Sequence, residues 1–324
     1  MAVQLLLALT FTCTRGARAD RLRPGTIETG CCHGEVRAGK SDSEAPMTAR
    51  RRSGGIDVKQ RLLRDLPWIG AVGVTVSTVG IALLTRFGWD SHAYWAAAAR
   101  TTYTTGPATE DAYLYSPAFA QAIRPLAMLP WPVFAVIWAM LAGVVLALLL
   151  RPLGWRRALP LWLCCSIEMV SGNVYWLFAL VAAYGLRFPG LWAIPALTKV
   201  TPAVGLVWFL VRREWRNLFI AVAATVLVVG LSCWMDPQAW RNWLTFLATH
   251  SGESTTSVGG VSLPPVVRIP AAVVLVGWGA WTDRRWTVPV GMILAAPVFG
   301  IGGLVVLAAL PVLRRSAKTG TRNV

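Results

Sequence analysis

Charge is scarce in this sequence. Only 14% of its 324 residues are Asp, Glu, Lys or Arg, against roughly a quarter in soluble domains, which excludes an ordinary water-soluble fold. Acid is scarcer still, with 15 Asp and Glu against 31 Lys and Arg. Three His and six scattered Cys provide neither zinc-site spacing nor a His cluster, and no paired carboxylates stand out. Adjacent Cys164 and Cys165 lie in an apolar run and read as small core residues. Internal repeats are missing too. The net charge of +16 would point to nucleic acid in a soluble protein. Here the basic residues fall in short clusters between apolar runs, with no basic face interleaved with aromatics. They read as a topology signal and as attraction to anionic lipid headgroups. What is plentiful is apolar: 55% of residues are hydrophobic and 17 are Trp, the residue that collects at bilayer interfaces.

Residues 1–46 differ from the rest. A short apolar run, Val3 to Phe11, gives way to a Gly, Arg and Cys mixture without periodicity, holding Cys13, Cys31 and Cys32. Ala17-Arg18-Ala19 resembles a signal-peptidase site, but no basic residue precedes the run. Cleavage there would also leave Arg50, Arg51, Arg52, Lys59, Arg61 and Arg64 outside the cell. The expectation is a cytoplasmic, mostly disordered arm over 1–65, with translation starting at Met47 as the alternative to Met1.

A membrane-spanning helix needs about 20 apolar residues. Pro67–Thr85, Trp131–Leu150, Leu218–Trp234 and Pro265–Trp281 meet or approach that length. Ser91–Arg100 predicts a helix lying at the membrane surface, with Ala93, Tyr94, Ala97 and Ala98 on one face. Pro117–Leu129, with Gln121 and Arg124, predicts a short juxtamembrane or half-spanning piece. The apolar runs 159–186, 190–211 and 288–313 are interrupted at Gly172-Asn173, at Lys199 to Pro202 and at Pro297. Placing the basic clusters at 151–157, 212–216, 284–285 and 314–322 on the cytoplasmic face leaves outer loops at 88–116 and 235–263. The interrupted runs must then be broken or doubled helices, and broken backbone at membrane depth occurs only where protein or a wet cavity covers it. The fold class is therefore all-α: a multi-pass transmembrane protein of about 8–11 membrane helices or half-helices, with the membrane domain over 66–313 and a basic cytoplasmic tail over 314–324.

Candidate chemistry follows from polar groups in these settings. Asp90 lies just past the first span in Trp89-Asp90-Ser91-His92-Ala93-Tyr94, with Tyr113-Leu114-Tyr115-Ser116-Pro117 downstream. An acid among aromatics at a membrane surface suits a sugar ring and a hydroxyl proton; the plain alternative is a solvated loop carboxylate. Lys199, in an apolar run, is either a cation for a buried phosphate or a side chain snorkelling to the interface. Glu168, near Gly172-Asn173, is a proton relay or a neutral core group. The outer loop carries Trp240, Trp243, His250 and Ser251, and Arg268 follows Leu263-Pro264-Pro265. Arg268 either pairs with a phosphate or anchors a helix end.

Taken in order, an Asp after the first span, a Tyr-x-Tyr-x-Pro element, a Gly-Asn break, a Lys-x-x-Pro element with an Arg-Arg-x-Trp turn, and an interruption at Ala-Ala-Pro resemble glycosyltransferase family 87, a GT-C group of bacterial mannosyltransferases. The resemblance covers about residues 66–312. It implies a GT-C-like fold, a polyprenyl-phosphate sugar donor, usually mannose, and inverting transfer to a glycolipid or glycan acceptor outside the plasma membrane. It needs no bound cofactor, and a divalent metal is neither demanded nor excluded. By that resemblance Asp90 is the base, while Tyr94, Tyr113, Tyr115, Asn173, Lys199, His250 and Arg268 are substrate-binding. The partners implied are the bilayer, the lipid-borne donor and the acceptor, with no nucleic acid. Ser116 replaces a Pro of the family's Tyr-x-Tyr-Pro-Pro element, Pro202 is displaced from the Lys-Pro position, and Ala296-Pro297 is followed by no His.

Two other classes compete. A transporter or flippase of a lipid-linked substrate would use broken helices and intramembrane charges, but predicts internal repeats. A catalytically inactive membrane relative would account for the missing late His.

Overall fold

The computed structural model describes residues 58–99, 103, 106, 107, 109–250, 263–297 and 300–320. The expectations for the N-terminal run, Cys31-Cys32, Met47 and Ser251 fall outside these residues. Among the described residues all regular structure is helical, as long unbroken apolar stretches require when the backbone cannot bond to water.

The first helix, α1 (Val58–Leu84), starts before the expected span and continues through Pro67, which lies inside the helix and has no amide proton to donate. Its stretch Asp65–Leu84 is apolar and long enough to cross a membrane, as are Trp131–Leu153 and Trp215–Met235. Val72, Val76, Leu83 and Leu84 on α1 are exposed; such side chains belong against lipid tails. Past Gly88, whose φ of 69° suits glycine, the chain turns into α2 (Trp89–Ala99). The face Ser91, Ala93, Tyr94, Ala97 and Ala98 is buried. The small residues let α2 lie close against α3 (Pro117–Ala127) and α4 (Trp131–Leu150). The surface helix expected at Ser91–Arg100 is thus a packed element, covered on one face by protein.

A 3₁₀ turn at Arg151–Leu153 ends α4, and α5 (Trp155–Cys164) and α6 (Ser166–Ser171) lead to the first interruption. Gly172 adopts the left-handed conformation, φ 71° and ψ 26°, and α7 (Tyr175–Tyr184) begins afresh. The second interruption ends α8 (Ala193–Thr198) at Lys199; a 3₁₀ stretch, Thr201–Leu206, leads into α9 (Val207–Val211). Then come α10 (Trp215–Met235), α11 (Pro237–Thr249), α12 (Pro265–Trp281) and α13 (Thr287–Ala295). The third interruption at Ala296-Pro297 precedes a 3₁₀ stretch, Ile301–Ala309, and α14 (Leu310–Gly320). Helices α4 and α12 have the bounds expected from sequence, and all three anticipated interruptions are real.

Contacts at the helix ends sort the loops. Arg212 pairs with Asp283 at 3.1 Å and donates to Ala280 O, joining the turn after α9 to the turn after α12. Arg315 reaches Pro152 O at 3.5 Å. At the other ends of these helices, Gln121 donates to Ser232 O, Trp243 to Leu114 O and Trp95 to Leu129 O. The basic turns therefore gather at the α4 C-terminus and α10 N-terminus, and the residues around Asp90 gather at the opposite helix ends.

Candidate active site

The three-residue step from Gly172 to Val174 builds the centre of the site. Trp138 on α4 donates to Gly172 O at 2.9 Å, which fixes the interruption from one side. Gly88 N donates to Val170 O at 2.8 Å, and Ser91 lies so close to Gly172 that a Cβ there would strike its side chain. The start of α2 is thereby held against the end of α6. Glu168, fully buried, accepts from Trp176 N at 2.9 Å. Its carboxylate satisfies an amide at the start of α7, where helix amides lack partners and favour negative charge. Of the two readings of Glu168, this is a structural one: an acid closing a helix end across the break.

Asn173 is left projecting between α2 and α8. Its Nδ2 donates to Asp90 Oδ2 at 2.8 Å, and its Oδ1 accepts from Lys199 Nζ at 3.0 Å and from Val174 N at 2.8 Å. One amide thus connects a carboxylate 83 residues before it to an ammonium 26 residues after it. All three side chains are half-buried, so they remain reachable, while Glu168 and Tyr94 are sealed. Burial pushes the Asp90 carboxyl above its ordinary 3.8; Lys199 and the Asn173 bond oppose that rise.

Lys199 owes its position to an unusual turn. Val200 has φ 46° and ψ −62°, and Thr201 N donates to Lys199 O at 2.5 Å. This is a γ-turn with a positive-φ centre, which a β-branched residue adopts only under strain. The ammonium lies 3.9 Å from the Tyr175 ring centroid and 5.9 Å from that of Tyr115, a cation–π setting. The Tyr-x-Tyr element ties in here: Ser116 Oγ donates to Leu197 O at 2.6 Å, two residues before Lys199. The Tyr94 and Tyr115 hydroxyls are 3.0 Å apart, Tyr113 donates to Ser116 O, and Tyr103 donates to Tyr115 O.

Asp90, Tyr94, Tyr115, Asn173 and Lys199 are therefore brought together, with Tyr113 bracing the loop behind them. His250 stands apart: its Nδ1 bonds Phe246 O at 2.9 Å and its ring packs on Phe246. Arg268 is buried and directed at backbone, donating to the carbonyls of Leu263, Leu294, Ala296 and Pro297. It holds the third interruption closed, close to the helix-anchoring reading. Sequence reasoning missed Tyr175 and Ser116 as partners of the site. Only their nearness to quoted motifs hinted at them. No group of three His, Cys, Asp or Glu suited to a metal occurs among the described residues.

A helical membrane protein with an acid, an amide and an ammonium aligned beside an aromatic shelf has the parts to bind an anion and accept a proton at one site. The family model for glycosyltransferase family 87 matches residues 113–323, well over half the chain, and the protein belongs to that family: it is a membrane glycosyltransferase. Curated proteins and solved structures yield no match. Tyr113, Tyr115, Asn173, Lys199, His250 and Arg268 fall within the matched segment, whereas Asp90 and Tyr94 precede it. Those two join the site through the Asn173 bond and the Tyr94–Tyr115 contact.

Proposed function

We propose that this enzyme transfers a sugar, mannose in the first instance, from a polyprenyl-phosphate donor to a glycolipid or glycan acceptor at the outer face of the plasma membrane. The carrying observation is the Asp90–Asn173–Lys199 chain, which holds a proton acceptor and a phosphate-sized cation apart by one amide. The chemistry balances as a single displacement. The acceptor oxygen bonds to the anomeric carbon while its proton passes to Asp90. The bond from that carbon to the phosphate oxygen breaks, and its electron pair leaves with the polyprenyl phosphate. Attack from the face opposite the phosphate inverts the anomeric centre.

Each side chain has a role in that displacement. Lys199 pairs with the phosphate where charge is poorly screened. Asn173 exchanges its bond to the ammonium for the donor and keeps Asp90 aimed. Tyr115 and Tyr175 form the shelf beside the sugar. Arg268, bonded to backbone carbonyls at the third interruption, and His250, packed on Phe246, support the fold around the site. The leaving group is a good one, and no bound cofactor is required of the protein. Both termini and the basic turns lie on the cytoplasmic side.

The test uses the full chain in proteoliposomes with polyprenyl-phosphate mannose and a membrane glycolipid fraction. The proposal expects mannosylated lipid with inverted anomeric configuration and release of polyprenyl phosphate. A product of retained configuration, or an intact donor after prolonged incubation, would contradict it.

A further inference from the structure

His92 follows Asp90 by two positions on α2 and serves the opposite side of the helix. Residues two apart on an α-helix point about 200° from one another. Asp90 meets Asn173 at 2.8 Å, while His92 meets the returning chain, with Nδ1 2.6 Å from Asp111 Oδ1. The His92 side chain is only 12% exposed. Its ring stands edge-on to Trp131, centroids 4.7 Å apart, and tilted against Trp95 at 5.5 Å. Trp95 is fixed in turn by donating to Leu129 O at 2.9 Å. A ring so enclosed keeps its direction, and Asp111 is held to it as to a post. An ionised Asp111 accepts, so Nδ1 carries the proton, and a hydrogen bond to a charged acceptor is about twice as strong as a neutral one. Arg86 also approaches Asp111, at 3.6 Å, but those side chains are 41% and 31% exposed, where ion pairs contribute little.

Asp111 begins a strap that crosses to the cation. Its φ of 60° is a left-handed conformation that Asp adopts more readily than most residues, though at a cost. At the other end Ser116 Oγ donates to Leu197 O at 2.6 Å, on the helix that ends at Lys199. Between these ties Trp243 donates to Leu114 O at 3.3 Å and Tyr103 to Tyr115 O at 2.9 Å. Of the four ties only the His92–Asp111 bond joins two side chains; the others end on backbone carbonyls. The strap carries Tyr115, whose hydroxyl lies 3.0 Å from that of Tyr94 and whose ring centroid lies 5.9 Å from Lys199 Nζ. One end is thus fixed to the helix of Asp90 and the other to the helix of Lys199.

We infer that His92 is a positioning residue for transfer: by holding Asp111 it sets the 111–116 strap, and with it Tyr115, between the base and the cation. It acts through the strap and not on the substrates. This rests on the transfer site read above at Asp90, Asn173 and Lys199, and adds to it a residue on the far side of α2.

Two variants separate the hydrogen bond from the packing. His92→Phe keeps a ring against Trp131 and loses the bond to Asp111. His92→Asn loses the ring and keeps an N–H donor at about the reach of Nδ1. Transfer is measured in proteoliposomes with polyprenyl-phosphate mannose and a membrane glycolipid fraction. His92→Phe should lower kcat about tenfold or more, as a misplaced shelf would, with the donor KM within about twofold of the parent. His92→Asn should keep kcat within about threefold. A packing role predicts the reverse order. Hydrogen exchange, read by mass spectrometry on peptides covering 109–116, follows the strap without turnover: it should quicken in His92→Phe and stay near the parent in His92→Asn. Asp111→Ala, a change at a half-buried loop position, should show the same loss of kcat and the same faster exchange, and replaces His92→Phe should that variant not fold. Parent-like turnover or unchanged exchange in the variants that lose the bond, or His92→Asn as the slower of the two His92 variants, overturns the positioning role while leaving sugar transfer standing. An unmutated enzyme that transfers nothing between these substrates overturns the transfer reading and the positioning role together.

Discussion

At the scale of single residues, the account turns on the state of one carboxyl group. Asp90 must be ionised to receive a proton, and burial raises it above 3.8. The sign follows directly. As pH falls through the raised value the base becomes protonated, so kcat/KM declines on the acid side, at higher pH than an exposed Asp would give. A rate profile that stays level down to the ordinary carboxylate range would contradict this. Lys199→Met should act differently, raising the donor KM about 10- to 100-fold through loss of a charged hydrogen bond, with the acceptor KM little changed. Initial rates at varied donor concentration read that split. Asp90 and Lys199 stood out in the sequence because charge beside or within apolar runs is costly. Asn173 stood out as well, in the Gly172-Asn173 break, but its bonds to the other two did not, because they reach 83 residues back and 26 residues forward and no periodicity records such distances. Arg268 was ambiguous for a related reason: a buried guanidinium satisfied by backbone carbonyls looks, in sequence, like one awaiting a phosphate.

At the scale of elements, the interruptions matter more than the spans. Helices α4 and α12 were legible residue for residue because a long apolar run bounded by Pro or Arg has one reading. The breaks were legible as places, from Gly172, Lys199 and Pro297, but their geometry was not. Nothing in Lys199-Val200-Thr201 announces a γ-turn, and nothing in Glu168 announces that it satisfies Trp176 N. The break at Gly172 can be tested. An Ala there must hold φ near 71°, at about 1–2 kcal/mol, and its Cβ meets the Ser91 side chain, which adds to that cost. Gly172→Ala should therefore lower thermal stability and also weaken transfer, since Ser91 adjoins Asp90. A variant as stable as the parent by thermal denaturation in detergent would show that the α2–α6 approach is looser than described.

At the scale of the whole molecule, helix-end contacts separate two faces. Arg212 with Asp283 and Arg315 with Pro152 mark one; Trp243 with Leu114 and Gln121 with Ser232 mark the other. The basic clusters collect on the first, which the positive-inside rule predicts to be the cytoplasmic face. Single cysteines at exposed Thr109 and Asp283, in a background without the native cysteines, check the orientation. A membrane-impermeant maleimide should label Thr109→Cys on intact cells and Asp283→Cys only after permeabilisation; the reverse pattern would place Asp90 inside. The most direct measurement joins orientation to chemistry. Sealed right-side-out vesicles carrying polyprenyl-phosphate mannose receive acceptor from outside, and the initial transfer rate is compared between the unmutated enzyme and Asp90→Asn at equal protein level. A fall of about 10²- to 10⁴-fold is the expected result, the usual contribution of a positioned base. A variant transferring at the parent rate would contradict the claim that this carboxylate, held by Asn173 opposite Lys199, performs the reaction.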